Sequence, residues 1–165
     1  MQLTVVEGDI TRQDVDAVVN AANRRMRGGG GVDGAIHRAG GPAVLADCVA
    51  RFPDGLATGE AGWTTAGAMP SRWVVHVVGP NFSAGERDRS LLTGCYARAL
   101  AVADGLGALT MAFPLVSAGI YGWPKDDAVD AAVETLRATP TDVRAARLVA
   151  FDAATYDLIA ERLRG

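Results

Sequence analysis

The chain has 165 residues, a formal net charge of −3 and a pI near 5.3, and 49% of its residues are hydrophobic. This length suits one domain with a sizeable core, and no shift in composition marks a boundary within residues 1–165. The slightly acidic balance argues against an extended nucleic-acid-binding surface. No apolar run approaches the roughly 18 residues of a membrane helix, and the N-terminal residues lack a signal-peptide pattern. We expect a soluble, cytoplasmic monomer without membrane association.

The two cysteines, Cys48 and Cys95, stand far apart, without C-x-x-C spacing or a neighbouring histidine. This spacing does not favour a metal site or a disulfide framework. Both residues are predicted to be buried thiols, and we expect the protein to use neither a metal nor a cofactor.

Apolar, β-branched runs alternate with stretches of helical periodicity along the whole chain. Strands are predicted at residues 3–7, 16–21, 60–65, 73–78, 109–113 and 147–151. Helices are predicted at residues 32–39, 42–51, 92–106, 125–136 and 152–163. This alternation predicts an α/β fold whose mostly parallel sheet is covered by helices on both faces.

A glycine-rich stretch links the second predicted strand to the first helix. Asn20 and Asn23 precede four consecutive glycines, residues 28–31, and Val32 opens the helix. Glycines let backbone N–H groups approach a ligand closely and adopt positive φ, and a helix N-terminus favours an anion. The stretch is therefore predicted to bind phosphate. Asp33 lies in the first turn of the helix, and the repulsion between its carboxylate and a bound anion would be unfavourable. Its presence there therefore indicates a functional role.

Two other interpretations of this stretch stay open from residue types alone. One is a flexible turn followed by a helix-capping acid. The other is a dinucleotide-binding loop, because Gly29, Gly31 and Gly34 match the spacing G-x-G-x-x-G. That match is weak, because six residues separate the strand from the glycines and no acid ends a second strand about 20 residues later.

Parallel sheets bind ligands beyond the carboxyl ends of their strands. Four predicted features lie at that edge: Asp9, the glycine loop, a second glycine-bearing loop at residues 117–123, and Phe151. Two such loops can hold a diphosphate by their backbone N–H groups. Phe151 can stack on a base, and Asp9 can accept a hydrogen bond from an amino group. The pattern indicates a nucleotide diphosphate as the ligand.

At these positions the chain resembles the macrodomain family, in particular its MacroD-like branch. The matching segments are residues 8–11 (GDIT), 16–23 (DAVVNAAN), 28–38 (GGGGVDGAIHR), 74–80 (VVHVVGP) and 113–124. The resemblance implies a single domain over residues 1–165 with a three-layer α/β/α architecture and a mostly parallel mixed sheet flanked by helices. It also implies binding of ADP-ribose and, in this branch, hydrolysis of the ester that joins ADP-ribose to an acidic side chain or an acetyl group.

The resemblance assigns roles position by position. Asp9 would bind the adenine amino group and Phe151 would lie against the ring, although Asp9 can instead cap a turn and Phe151 can belong to the core. The two glycine-bearing loops would hold the diphosphate, and Tyr121 would shield the distal ribose or merely pack on the domain. Asn23 would bind the distal ribose hydroxyls, whereas bracing of the loop is favoured for Asn20. The implied ligand-binding positions are Asp9, Ile10, Asn20, Gly30, Gly31, Val32, Ser117, Ala118, Gly119, Ile120, Tyr121 and Phe151.

Asp33 and Asn23 form the catalytic pair implied by the resemblance. Ester hydrolysis needs a water that loses a proton as it attacks, and an ionised carboxylate within hydrogen-bond reach can accept that proton or orient the water. The substrate's own phosphate is an alternative to Asp33 for this role. His37, four residues after Asp33, can steady that carboxylate or ionise with it. A packing or solvent-facing role is equally compatible with its position, so His37 is left outside the catalytic set. His76, inside an apolar strand, is predicted to be a core histidine with satisfied hydrogen bonds.

The leading hypothesis is therefore an ADP-ribosyl-ester hydrolase, and the alternative is a reader module that binds ADP-ribose without turnover. The expected partners are ADP-ribose and ADP-ribosylated proteins, with O-acetyl-ADP-ribose and ADP-ribosylated nucleic-acid ends as further substrates that the sequence does not separate. A dinucleotide-dependent oxidoreductase is disfavoured by the missing second-strand acid.

Overall fold

The computed structural model describes residues 1–165 and contains six strands and five α-helices. The strands are β1 (Gln2–Glu7), β2 (Ala17–Ala22), β3 (Ala61–Thr65), β4 (Trp73–Val78), β5 (Thr110–Phe113) and β6 (Ala145–Ala150). The helices are α1 (Gly31–Gly40), α2 (Pro42–Arg51), α3 (Arg89–Leu106), α4 (Lys125–Ala138) and α5 (Ala153–Arg164). Two short 3-10 turns, Ile10–Arg12 and Phe82–Ala84, lie in the loops after β1 and β4.

The six strands form one sheet in the order β1-β6-β5-β2-β4-β3. Every neighbouring pair is parallel except β3 and β4, which run antiparallel at one edge. The predicted mostly parallel mixed sheet is confirmed. Because β1, β2, β5 and β6 are parallel, the loops that follow them all leave the same edge of the sheet, as the sequence predicted.

Side chains that alternate along each strand divide the apolar core into layers on the two faces of the sheet. On β2, Ala17 and Val19 pack in the larger cluster with residues of α3, α4 and α5. Val18 packs in a second cluster with Ile36 of α1, and Ala22 packs in a third with Val44 and other residues of α2. The α/β/α layering predicted from the sequence is therefore confirmed.

The ends of several elements differ from the sequence prediction. β6 ends at Ala150, so Phe151 lies beyond the strand rather than at its last position. Helix α3 begins at Arg89, because the side chain of Asp88 accepts a hydrogen bond from Ser90 N and caps the first turn before the apolar stripe starts. None of the helices is both long and apolar enough to span a bilayer.

Candidate active site

The loop after β2 is folded by the side chain of Asn23. Its Nδ2 donates a 3.1 Å hydrogen bond to the carbonyl of Gly28, and its Oδ1 accepts a 3.1 Å hydrogen bond from Arg25 N. These two bonds close the loop on itself between the end of β2 and the glycines. Asn23 is only partly buried, so its amide stays accessible at the beginning of the glycine loop.

Asp33 lies beside Asn23, in the first turn of α1, and only 5% of its surface is exposed. Asn20 Nδ2 donates a 2.8 Å hydrogen bond to Asp33 Oδ1, and His37 Nε2 lies 3.4 Å from the same oxygen. The other oxygen, Oδ2, makes no hydrogen bond within the protein. Burial raises the pKa of Asp33, while the Asn20 hydrogen bond and His37 oppose that shift. One oxygen is thus held in place, and the other is available for a substrate or water.

Gly29 lies against both the Asp33 carboxylate and the Asn23 amide. A Cβ at position 29 would lie 3.1 Å from Asp33 Oδ2 and 3.2 Å from Asn23 Nδ2. Both distances are tighter than most side chains tolerate, so any larger residue would displace the two polar groups. The structure thus places Asn23 and Asp33 on either side of one glycine, and their shared catalytic role stays a prediction.

The glycine loop has the backbone conformation predicted for it. Gly28 and Gly31 adopt φ values of +93° and +58°, which side-chain-bearing residues rarely adopt. The first helical hydrogen bond runs from Gly34 N to the carbonyl of Gly30. The N–H groups of residues 29–33 therefore have no partner within the protein, and they stand at the positive end of the α1 dipole.

The second loop, residues 114–123, is fixed from below by Tyr96 of α3. The fully buried Tyr96 hydroxyl accepts a 2.9 Å hydrogen bond from Val116 N and lies 3.4 Å from the carbonyl of Pro114, to which it donates. Trp123 N donates to the carbonyl of Ser117 at 2.9 Å and closes the loop. The N–H groups of residues 119–121 make no hydrogen bond within the protein, which gives this loop its own set of free donors.

The two loops meet through Ile120. A Cβ atom added to Gly30 would lie 3.5 Å from Ile120 Cδ1, and one added to Gly31 would lie 3.7 Å from the same atom. Ile120 is nonetheless 77% exposed, so it lies across the glycines rather than in the core. The two loops, each with its free N–H groups, therefore lie next to each other beyond the carboxyl ends of β2 and β5, and the space between them is called the cleft below.

Other positions of the second loop divide between buried and exposed. Ser117 has a left-handed backbone, with φ +64°, and its buried Oγ has no hydrogen-bond partner. Gly119 and Ile120 are exposed, while Ala118 and Tyr121 are half-buried. The carbonyl of Tyr121 accepts a 3.0 Å hydrogen bond from Ser83 N, and burial raises the pKa of its phenol. Ser117 thus offers a ligand little beyond its backbone.

Asp9 and Phe151 follow β1 and β6, at the same edge of the sheet as the two loops. Asp9 Oδ1 accepts hydrogen bonds from Thr11 N at 2.9 Å and Thr11 Oγ1 at 2.7 Å, which lower the pKa of the carboxyl. Asp9 therefore does cap the turn. Its second oxygen, Oδ2, lies 3.8 Å from Arg12 Nε and remains available to other partners. Phe151 is 79% exposed, so the alternative of a core phenylalanine is wrong.

Three predicted positions require correction or refinement. Asn20 has no exposed surface, so it acts on Asp33 instead of on a ligand, as the bracing alternative held. The Ile10 side chain is 93% buried in the core beside α1, where Val32 also packs, which leaves the Ile10 backbone for ligand contact. His37, left outside the catalytic set, is in contact with Asp33. The i, i+4 spacing of the two residues was the signal for that contact.

The remaining predictions about buried polar groups are confirmed. His76 is fully buried and lies within hydrogen-bond distance of Thr64 Oγ1 and Asn20 Nδ2. Cys48 and Cys95 are buried free thiols. No group of three or more His, Cys, Asp or Glu side chains is arranged to hold a metal ion.

The family model for the Macro domain matches residues 19–132, which include most of β2, the glycine loop, Asp33 and the second loop. This chain belongs to the macrodomain family. The macrodomain is 54% identical over 165 residues to a Macro domain-containing protein of Streptomyces coelicolor, covering 98% of each chain. It is 44% identical over 163 residues to the protein named O-acetyl-ADP-ribose deacetylase 1 of Pantoea vagans, covering 95% of each.

The fold of this macrodomain also matches solved structures. The Trypanosoma brucei macrodomain in complex with ADP-ribose superposes with a TM-score of 0.89 at 35% identity. The match covers 98% of this chain and 69% of the Trypanosoma chain. The macrodomain architecture implied by the sequence motifs is therefore confirmed.

Proposed function

We propose that this macrodomain binds ADP-ribose and hydrolyses esters that join ADP-ribose to an acyl group, either an acidic protein side chain or acetate. The observation that carries the proposal is the Asp33 carboxylate. It is buried at the end of a cleft lined by free N–H groups, and one of its oxygens is unbonded. The names of two relatives support the proposal: a deacetylase of O-acetyl-ADP-ribose at 44% identity and a structure with ADP-ribose at 35%.

In this proposal the diphosphate lies between the two loops. The N–H groups of residues 29–33 and 119–121 donate to its oxygens, and the α1 dipole favours its charge. No lysine is needed, because preorganised backbone donors in a partly enclosed cleft supply the attraction. Ile120, which lies across Gly30 and Gly31, covers the diphosphate from solvent.

The two ends of the ligand then have distinct surroundings. At one end the exposed ring of Phe151 stacks on adenine, and Asp9 accepts a hydrogen bond from the adenine amino group through Oδ2. At the other end Asn23 binds the distal ribose hydroxyls, and Tyr121 lies over that sugar. This orientation brings the ester bond to the Asp33 side of the cleft.

Asp33 acts on the attacking water. Oδ2 accepts a hydrogen bond from the water and takes up its proton as the water oxygen bonds to the electrophilic carbon of the ester. The bond between that carbon and the leaving oxygen breaks, and the proton passes to the leaving group. The products are the free carboxylic acid and the hydroxyl form of ADP-ribose. Because only the ionised carboxylate can accept a proton, the reaction depends on the deprotonated form of Asp33.

The second candidate is a reader that binds ADP-ribose without turnover. The two sets of free N–H groups are enough for this function, since a reader would need only the clamp, whereas the presence of Asp33 favours the hydrolase. The two functions differ in one measurable quantity, which is the release of ADP-ribose from a modified protein.

The test is release of ADP-ribose from a glutamate-modified, mono-ADP-ribosylated protein, run beside calorimetric binding of free ADP-ribose. We expect release by the wild type and a loss of about 100-fold or more in Asp33→Ala, with ADP-ribose affinity unchanged or improved. Asp157→Ala is the matched control, since Asp157 is exposed on α5 and makes no hydrogen bond or ion pair.

Binding without release would identify a reader for this linkage, and O-acetyl-ADP-ribose and end-modified DNA would be tested next. Equal losses of binding and turnover in Asp33→Ala would mean that Asp33 is structural. Failure of the wild type to bind ADP-ribose would contradict both functions.

A further inference from the structure

A chain of buried polar side chains runs beneath the cleft from the edge of the sheet to Asp33. Thr64 Oγ1 of β3 lies 2.8 Å from His76 Nε2 of β4, and His76 Nδ1 lies 3.0 Å from Asn20 Nδ2 of β2. Asn20 Nδ2 in turn lies 2.8 Å from Asp33 Oδ1. The first three residues have no exposed surface.

The sheet register brings this chain together. Asn20 and His76 are paired in the parallel ladder of β2 and β4, so their side chains point to the same face. That face is the one covered by α1 and α2, because Val18 and Val74 on the same side pack in the cluster that contains Ile36. The chain therefore lies directly under Asp33.

The direction of each hydrogen bond follows from the donors and acceptors available. The ionised Asp33 carboxylate only accepts, so Asn20 must present its NH₂ group, and the second N–H of that group meets His76 Nδ1. Nδ1 must then be the unprotonated nitrogen. The proton is on Nε2, which donates to Thr64 Oγ1, while the Thr64 hydroxyl donates to the carbonyl of Thr65 at 3.0 Å. This assignment fixes both the imidazole tautomer and the amide orientation.

The arrangement leaves one buried atom unsatisfied. Asn20 Oδ1 is buried and has no hydrogen-bond partner. A buried acceptor without a hydrogen-bond partner destabilises the folded state. If these residues served stability alone, apolar side chains in their place would serve it equally well. The Asn20 amide is instead held in the one orientation that serves Asp33 and His76 together. This points to a role in setting the carboxylate.

His76 is not a proton carrier in this arrangement. Burial is the main cause that lowers its pKa to about 3, so the imidazole is neutral at working pH. The neighbouring Cys48 thiol, 3.8 Å from Nε2, has its pKa raised by burial to about 11 and stays protonated. The group that His76 supplies is therefore a fixed acceptor at Nδ1.

We propose that His76 is a positioning residue for the hydrolysis: its Nδ1 orients the Asn20 amide, which holds Asp33 Oδ1 so that Oδ2 faces the reacting ester. This inference rests on the proposed function. His76 touches neither substrate nor water, and it acts only through Asn20. A carboxylate released from this restraint rotates away from the attacking water, and a misplacement of about 1 Å can reduce a rate about 100-fold.

Two variants of His76 separate positioning from packing. His76→Asn places an amide oxygen near the position of Nδ1 and loses the bond to Thr64. His76→Gln places its amide near Nε2 and leaves Asn20 without an acceptor. We expect kcat to fall about 10-fold to 100-fold in His76→Gln and much less in His76→Asn, with ADP-ribose affinity retained in both. Equal losses of kcat, or a loss in neither variant, would overturn the proposal.

A second pair of variants serves if the His76 variants fail to fold. Thr64→Ser keeps the hydroxyl that accepts from Nε2, whereas Thr64→Val removes it at nearly constant volume. We expect kcat to fall in Thr64→Val and to be retained in Thr64→Ser, again without a change in ADP-ribose affinity. Equal kcat in the two variants would contradict the proposal that Thr64 and His76 position Asp33.

A spectroscopic measurement tests the chain of hydrogen bonds from Thr64 to Asp33 independently of turnover. ¹⁵N NMR of the wild-type imidazoles reports which nitrogen of His76 carries the proton, and we expect the Nε2–H tautomer. Thr64→Val should change that signature and shift the ¹³C resonance of the Asp33 carboxyl, whereas Thr64→Ser should not. An Nδ1–H tautomer would overturn the proposal, because Nδ1 could then not accept a hydrogen bond from Asn20. Absence of turnover with the expected NMR signature would instead contradict the proposed function and, with it, the positioning role of His76 in the hydrolysis.

Discussion

Asn20 donates a 2.8 Å hydrogen bond to Asp33 Oδ1 from a position on β2 that solvent does not reach. Replacing it in Asn20→Ala would leave both Asp33 Oδ1 and His76 Nδ1 without this donor. We expect kcat to fall while ADP-ribose affinity is kept, and stability to fall by about 1–3 kcal/mol for the groups left unpaired. Asn23→Ala is the comparison: it should weaken ADP-ribose binding as well. A loss of affinity in Asn20→Ala would contradict this division, and calorimetry with steady-state kinetics measures it.

The raised pKa of Asp33 predicts where activity is lost in acid. Burial is the largest cause of the shift, so the carboxyl takes up a proton above the ordinary aspartate value of 3.8. Because the base must be ionised, kcat/KM should decline through a limb that lies above pH 3.8, while circular dichroism shows the fold intact. A limb at or below that value would mean that a different group limits the reaction.

The raised pKa of Asp33 affects stability in the direction opposite to activity, because acid favours the folded state through this group while it removes the ionised base. A carboxyl whose pKa is raised on folding stabilises the folded state at low pH, and that contribution is lost as the pH rises through the raised pKa. Asp33→Asn stays neutral, so its melting temperature should exceed that of the wild type at pH 7, with the difference shrinking in acid. Asp157→Asn on the exposed face of α5 should show no such difference. A lower melting temperature for Asp33→Asn at pH 7 would mean that the Asn20 and His37 contacts outweigh burial.

The glycine loop should not tolerate a charged side chain at Gly30. A Cβ there would lie 3.5 Å from Ile120 Cδ1, so the remaining atoms of a glutamate enter the cleft between the loops. In Gly30→Glu we expect ADP-ribose binding to be abolished by bulk and charge repulsion. Gly105→Glu is the control, because Gly105 is exposed on α3 with no atom within 4 Å of its Cβ position. Normal calorimetric affinity in Gly30→Glu would exclude the loop as the phosphate clamp.

Tyr96 should matter for the ligand although it lies beneath the second loop. Tyr96→Phe removes the acceptor of the Val116 N–H, a buried donor whose loss of a partner costs about 1–3 kcal/mol. We expect a lower melting temperature and weaker ADP-ribose binding, since the free N–H groups of residues 119–121 lose their support. Tyr156→Phe, whose hydroxyl makes no hydrogen bond, is the matched control. Unchanged affinity in Tyr96→Phe would show that the loop keeps its shape without this bond.

The alternation of strands and helices, and the loops at one edge, could be predicted from the sequence, because these follow from local periodicity and glycine content. The placement of Asp33 beside the glycine loop could be predicted for the same reason, since it stands in the first turn of a helix that begins there, whereas its proposed role came from the family resemblance. The partners of Asp33 could not all be predicted in this way. His37 is four residues away on the same helix, whereas the contact between Asn20 and His76 joins residues 56 positions apart. Such a contact depends on strand order and register, which periodicity does not specify.

The antiparallel strand β3 pairs with β4 on one side only and forms the margin of the sheet. Thr64, which fixes the His76 proton, belongs to this marginal strand, whereas the cleft is formed by the loops after β2 and β5. A strand at the edge of a sheet is hydrogen-bonded on one side only, and it opens locally at lower free energy than a central strand. Fraying of β3 would therefore disorder the Asp33 carboxylate while the two glycine-bearing loops kept their shape. Under the proposed function, heating should abolish turnover at a lower temperature than it abolishes ADP-ribose retention.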